Sequence, residues 1–240
     1  MTKTIFTTLF LLTLLSNTFA QKHTYIGAEA AVNHDVYNFI DNGTLLKDGA
    51  IISGYFGLNI RQDLTAKTFV ETGLLRKYYY EGIGFTPFPS YSSGNAINAW
   101  LIPLRLGTRL NISNHKVYLV PVIGFTLGIN SDYGYGDGGI GGYEMNNKDT
   151  IYHATYSKLS LTRTFPLLQT GMGVEFTFLR TAIISFAANY FTGFKNVIEQ
   201  DIQYTHNSVS NSGKGLSKGE MVSFGLAIKY PVSKLWGTNK

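Results

Sequence analysis

What most limits the folds open to this chain is the way its strand-length segments are joined. Apolar and polar residues alternate with a period of two over eight stretches, at residues 23–34, 49–61, 66–80, 96–110, 117–130, 165–178, 181–194 and 219–230. That period is the signature of a half-buried strand. The connections at 61–65, 111–116 and 179–181 are short and polar. Those at 35–48, 81–95, 131–164 and 195–218 are long and rich in Gly, Ser, Asn and Tyr. The two kinds take strict turns along the chain. An up-and-down antiparallel barrel that crosses a membrane has tight turns at one rim and long loops at the other. A soluble sandwich has no reason to alternate in this way.

The first residues supply the context. Lys3 precedes an apolar run from Ile5 to Leu15 broken only by Thr, and small residues Thr18 and Ala20 sit where a signal peptidase reads. This is the layout of a secretory signal peptide. The run of about 11 residues is well short of the roughly 20 a helix needs to span a bilayer. Residues 1–20 are therefore predicted to be removed, leaving Gln21 as the mature start and residues 21–240 as one barrel domain. No later apolar run reaches spanning length, so any membrane crossing has to be made by strands.

Composition agrees. Charged residues make up only 15% of the chain, aromatics 14%, and glycine is abundant at 26 residues. This mix is poor in helix formers and rich in strand formers. The net charge of +5 is scattered, without the Lys/Arg run of a nucleic-acid footprint. Cysteine is absent, which excludes disulfides, thiolate metal sites, cysteine nucleophiles and a lipid anchor on a mature N-terminal Cys.

The two faces of each strand differ. In residues 96–110 one face reads Trp100, Ile102, Leu104, Leu106 and Leu110, the other Asn98, Pro103, Arg105, Gly107 and Arg109. In residues 117–130 Val117, Leu119, Pro121, Ile123, Phe125, Leu127 and Ile129 oppose Tyr118, Val120, Val122, Gly124, Thr126, Gly128 and Asn130. The bulky face suits lipid and the small or polar face a narrow interior. A lipocalin-like soluble barrel has the same period with the faces inverted. Aromatics at the ends of the bulky face favour the membrane, with Tyr25, Phe178 and Tyr230 read at one rim and Tyr78, Trp100, Phe165 and Phe194 at the other. Two features resist the scheme. Pro103 and Pro121 fall inside strands, where bulges are needed to absorb a missing N–H. In the third strand Phe69 falls on the polar face and Arg76 on the apolar one.

Several strand cores carry a resemblance: Val70-Glu71-Thr72-Gly73-Leu74, Val122-Ile123-Gly124-Phe125, Gly171-Met172-Gly173-Val174-Glu175-Phe176 and Phe224-Gly225-Leu226-Ala227-Ile228-Lys229-Tyr230. With the junction Phe19-Ala20-Gln21, they make the mature chain resemble the outer-membrane β-barrel domain family of small OmpA-type and porin-like single-domain proteins. The resemblance implies an all-β, single antiparallel up-and-down transmembrane barrel of about eight strands in the outer membrane of a Gram-negative cell, with lipid as its surroundings. The family has no common activity. Its members usually finish on an aromatic strand end, whereas here residues 231–240 run on past Tyr230. Either they form an extension, or the last strand lies later and includes Trp236.

Six charges fall on small-residue faces: Glu29, Glu71, Arg105, Arg109, Glu175 and Lys229. A barrel of about eight strands has room inside for side chains and little else. Ions confined there have to pair, so these residues are predicted to plug the lumen, with Glu71 and Arg105 as the first pair and Arg109 and Glu175 as the next. The alternative is that they line a gated pore. A catalytic reading would use His206-Asn207-Ser208 or His153-Ala154-Thr155 as the His–hydroxyl pair of a lipid hydrolase, but both fall in loops that fix no geometry. Gly136-Asp137-Gly138-Gly139-Ile140-Gly141 fits a dinucleotide fingerprint without the strand and helix it needs. Asp132, Asp137, Glu144 and Asp149 match no defined calcium loop, and His23, His34, His115, His153 and His206 are nowhere at ligand spacing. No cofactor, metal, nucleic-acid partner or catalytic residue is therefore assigned. Three roles remain open: a structural or interaction protein whose long loops meet a protein partner, a narrow passive channel, and a lipid-acting enzyme.

Overall fold

The computed structural model describes residues 23–47, 51–85, 91–113, 116–131, 135–140, 143–145, 149–178 and 181–235. The signal-peptide segment, His115 and Trp236 lie outside the described residues. With strands numbered in chain order, eight long ones form the barrel: β1 (Thr24–Asp35), β4 (Ile51–Asp63), β5 (Thr68–Phe85), β6 (Tyr91–Thr108), β8 (Val117–Asn130), β12 (Thr164–Phe178), β13 (Ala182–Gly193) and β16 (Met221–Pro231). Each pairs antiparallel with the next, and β16 returns to β1 from Tyr25↔Pro231 to Asp35↔Met221. The sheet is closed, and no barrel strand is left with a free edge. The last described strand ends at Pro231, where the short helix α1 (Val232–Leu235) follows.

The outward face is apolar along every barrel strand. Leu104 is 58% exposed, Phe186 54% and Phe224 65%, whereas inward neighbours such as Arg105, Ser185 and Ser223 are buried. This inverts the arrangement of a water-soluble barrel, and such a belt is stable only against hydrocarbon. Arg76 does point outward, where its guanidinium lies 4.9 Å from the Trp100 ring. Asn98 shares the outward parity of Trp100, and Ile97, Ala99 and Leu101 are the residues that face in. Two residues read as rim aromatics also point inward. Phe165 is fully buried inside the barrel, and Tyr25 lines a cavity with Arg109 and Tyr118.

The prolines need no bulges. The offset between β5 and β6 is the same on both sides of Pro103, the pairing being absent only at Gly73 and Leu74. The Pro103 carbonyl accepts a hydrogen bond from the Thr72 hydroxyl at 2.7 Å. Pro121 falls where β6 leaves β8 at Gly107↔Val122 and β7 (Leu110–Ser113) takes over at Leu110↔Leu119, so its missing N–H faces a break.

The described parts of the long connections are largely strand. They rise beyond the barrel as a second sheet in which β11 (Asp149–Ser160) pairs with β14 (Ile198–His206), β14 with β15 (Val209–Ser217), and β15 with β2 (Asn38–Asp41). On the other side of β11 lie β9 (Tyr135–Ile140) and β10 (Tyr143–Met145). The pair β3 (Leu46–Lys47) joins the far end of β5 at Phe85. A small core of Phe85, Ile202 and Tyr204, with Phe39, Leu45 and Leu46 packed on it, binds three of these connections together.

Candidate functional site: the filled lumen

The lumen is occupied in two layers. The half nearer the long connections is apolar. Tyr55, Leu75, Tyr79, Ile97, Leu101, Phe165, Leu167, Phe191 and Met221 form one buried cluster within the barrel. Glycine makes this possible, because a Cβ at Gly128 would come within 2.2 Å of the Phe165 ring. One ion pair is embedded in this layer. Lys77 Nζ donates to Asp35 Oδ1 at 2.7 Å and to Ser53 Oγ at 2.6 Å, with both charged side chains fully buried. The Tyr79 ring lies 4.3 Å from the same ammonium.

The half nearer the short turns is ionic. Arg105 grips Glu29 across the lumen with two bonds, Nη1 to Oε2 at 2.6 Å and Nη2 to Oε1 at 3.0 Å. Its Nη1 also reaches Glu71 Oε1 at 2.9 Å, and its Nε donates to Gln169 Oε1 at 3.1 Å. The Tyr55 hydroxyl and the Asn59 amide complete the shell of Glu29 at 3.0 and 3.2 Å. Lys229 Nζ meets the other oxygen of Glu71 at 2.5 Å and lies 3.9 Å from Glu175. Glu175 receives Arg61 Nη1 at 2.5 Å and Arg109 Nε at 3.3 Å, and both arginines also reach Asp63, at 3.2 and 3.1 Å. Four carboxylates thus meet four cations in one neutral network, whose two halves join through the 3.9 Å contact of Lys229 with Glu175. Opposed charges that share partners in this way are what a confined, poorly hydrated space demands.

All six charges singled out from the sequence lie in this network, and Glu71 faces Arg105 in the strand register. The pair is one edge of a larger web, however, and the stronger partner of Arg105 is Glu29. Arg61, Asp63, Asp35 and Lys77 were missed. Their parity was the available signal: Arg61 and Asp63 share the inward face of β4 with Tyr55 and Asn59, and Lys77 shares that of β5 with Phe69 and Glu71. Reading 61–65 as a turn hid the first two. Phe69 is inward for a reason, since the Arg61 guanidinium lies 3.2 Å from its ring centroid and Gly107 opposite leaves the ring its space.

What space remains is small. A cavity of about 50 Å³ lies among Glu29, Glu71, Arg105, Gln169, Glu175 and Lys229. It admits a few waters and no file of hydrated ions. A second cavity of about 240 Å³, lined by His23, Tyr25, Arg109 and Tyr118, opens at the turn end.

The catalytic spacings resolve into backbone structure. Asn207 and Ser208 are the two positive-φ residues, at 48° and 68°, of the tight turn closing β14 and β15 at His206↔Val209. The stretch His153-Ala154-Thr155 lies at an irregularity in β11 where the register shifts, and the His153 side chain lies outside what is described, as do the carboxylates of Asp132, Asp137, Glu144 and Asp149. Among the described residues no three His, Asp or Glu side chains gather as a metal site.

A closed eight-stranded meander with an apolar exterior and a filled polar interior is the fold of the small outer-membrane β-barrels. The crystal structure of the outer membrane protein OprG from Pseudomonas aeruginosa shares it, with a TM-score of 0.50 over 87% of this chain and 96% of that chain at 10% identity. The N-terminal β-barrel domain of Pseudomonas aeruginosa OprF is also similar, with a TM-score of 0.42 over 88% of this chain and 99% of that chain at 9% identity. At such identities the likeness is one of fold. No family model and no curated protein matches the sequence.

Proposed function

We infer that this protein is an outer-membrane barrel of a Gram-negative cell, exported by a cleaved signal peptide, with a structural or interaction role. In this reading the eight strands anchor the loop-built sheet outside the cell, where it meets a protein or other partner. The lumen is filler and not a route. The observation that carries this is the lumen itself, neutral and cross-linked by arginines in one half and packed with aromatics in the other. The apolar belt supports the membrane placement. The short-turn and long-loop asymmetry supports the orientation. The His-Asn-Ser spacing gives no support to lipid hydrolysis, because its central residues are spent on a hairpin turn.

Two readouts test this reading. The folded protein in detergent migrates differently on a gel before and after boiling, and recovery of the mature chain as a soluble periplasmic monomer contradicts it. A cysteine at Gly139 or Ser212 reacts with an impermeant thiol reagent on intact cells, while one at Lys116, in a short turn, stays protected. The reverse pattern overturns the orientation.

A further inference from the structure

Beyond the barrel, the outer face of the second sheet carries a row of short, uncharged polar side chains. The register sets Thr155 beside Gln203, Gln203 beside Ser212, and Thr205 beside Ser210. Asn42 closes the row, its Oδ1 accepting from the Ser212 N–H at 2.9 Å. Together they line an open cleft of about 350 Å³, within the range of roughly 300–1,000 Å³ usual for ligand sites. The Gln203 amide and the hydroxyls of Thr155, Thr205 and Ser210 have no hydrogen-bond partner among the described residues. Adjacent strands place these groups about 4.8 Å apart, so donors and acceptors recur across the cleft.

We propose that this cleft binds a neutral oligosaccharide. Among the described residues the lining bears no formal charge, which offers nothing to an anionic or cationic ligand. The one aromatic among its described lining residues, Tyr204, is buried, so these residues present no exposed aromatic or arginine anchor of the kind that carries protein–protein affinity. What it offers is a dense set of neutral groups able both to donate and to accept, and a chain of sugar hydroxyls is the ligand that satisfies such a set. The ion pairs of Lys214 with Glu199 (2.6 Å) and Asp201 (3.5 Å) lie in the next rows and spend their charges on one another. The proposal rests on the outward orientation of this sheet. The sugar comes either from the cell's own surface polysaccharide or from a foreign glycan, and the recognition chemistry is the same for both.

The full mature chain in lipid nanodiscs, applied to arrayed neutral oligosaccharides, acidic glycans and the producing cell's own surface polysaccharide, tests it. Neutral glycans are retained and acidic ones are not. Gln203→Ala and Ser210→Ala each weaken retention at least tenfold, while Asn196→Ala, on an exposed residue outside the cleft, leaves it unchanged. The heat-dependent gel shift confirms that each variant has folded. Retention of the cell's own polysaccharide or of foreign glycans alone identifies the source. Ser210→Cys is labelled on intact cells in parallel. With that label present, absence of neutral-glycan retention, preference for acidic glycans, or indifference to Gln203→Ala and Ser210→Ala overturns the proposal. Absence of the label overturns the orientation, and the proposal with it.

Discussion

At the scale of single residues, the lumen is governed by which charge is stranded when another is removed. Arg105 serves Glu29 with two bonds and Glu71 with one, while Glu71 keeps Lys229 in its absence. Arg105→Ala therefore costs about 3–5 kcal/mol, chiefly through the orphaned Glu29. Adding Glu29→Ala to it costs less than the two changes summed, and the coupling exceeds that of Arg105 with Glu71. Denaturant unfolding of the four variants in lipid vesicles measures both couplings, and equal or vanishing couplings contradict the network. Asp41 gives a pH signature of its own, away from the barrel. Burial acts to raise its pKa, but the N–H groups of Leu46, Gly43 and Leu45 and the Tyr204 hydroxyl outweigh it, at 2.7, 3.0, 2.6 and 2.8 Å, and hold the carboxyl below its ordinary range. A carboxyl depressed on folding contributes stability above its unfolded pKa of about 3.9 and loses it as pH falls through the folded value. Amide exchange of Leu45 and Leu46 should accordingly rise on acidification below about pH 4 relative to the barrel, and Asp41→Asn should remove that dependence. The substitution itself costs about 1 kcal/mol, below the roughly 1.5–3 kcal/mol usual for a hydrogen bond to a charged group, because water reaches the carboxylate.

At the scale of elements, the barrel strands were legible because each has one face against lipid and one against the lumen, which enforces a strict period of two. The strands of the second sheet were not. In β15, Val-Ser-Asn-Ser-Gly-Lys-Gly-Leu-Ser has no apolar alternation, and the strand is held by pairing with β14 and β2 on either side. Pairing partners are a tertiary property, which local pattern does not encode. The inward aromatics failed for a related reason. Phe165 looks like a girdle residue until Gly128, distant in sequence, opens the space that takes its ring. Gly128→Val should thus overpack the plug and destabilise the barrel by about 1–3 kcal/mol. Gel-shift midpoints on a temperature series measure this, and a silent substitution means that the ring does not sit there. The β14–β15 hairpin offers the opposite sign. Ser208 holds a left-handed φ of 68°, which glycine adopts without penalty, so Ser208→Gly should stabilise the hairpin by about 0.5–1 kcal/mol. Slower amide exchange in β14 and β15 is the expected readout.

At the scale of the whole molecule, the chain divides its labour by height. Strand exteriors meet hydrocarbon, strand interiors meet one another, and the long connections assemble a polar sheet beyond the barrel. The charges that a pore would line up along its walls are instead bonded across its diameter, from β1 to β6 and from β4 to β12. The aromatic layer closes the end nearer the sheet. A closed lumen is the central claim, and steady conductance of the purified protein in a planar bilayer tests it most directly. Wild type should pass negligible steady current, and the variant carrying both Arg105→Ala and Glu29→Ala should leak. Steady ohmic current through wild type, with the same substitutions altering only its ion selectivity, would contradict the account.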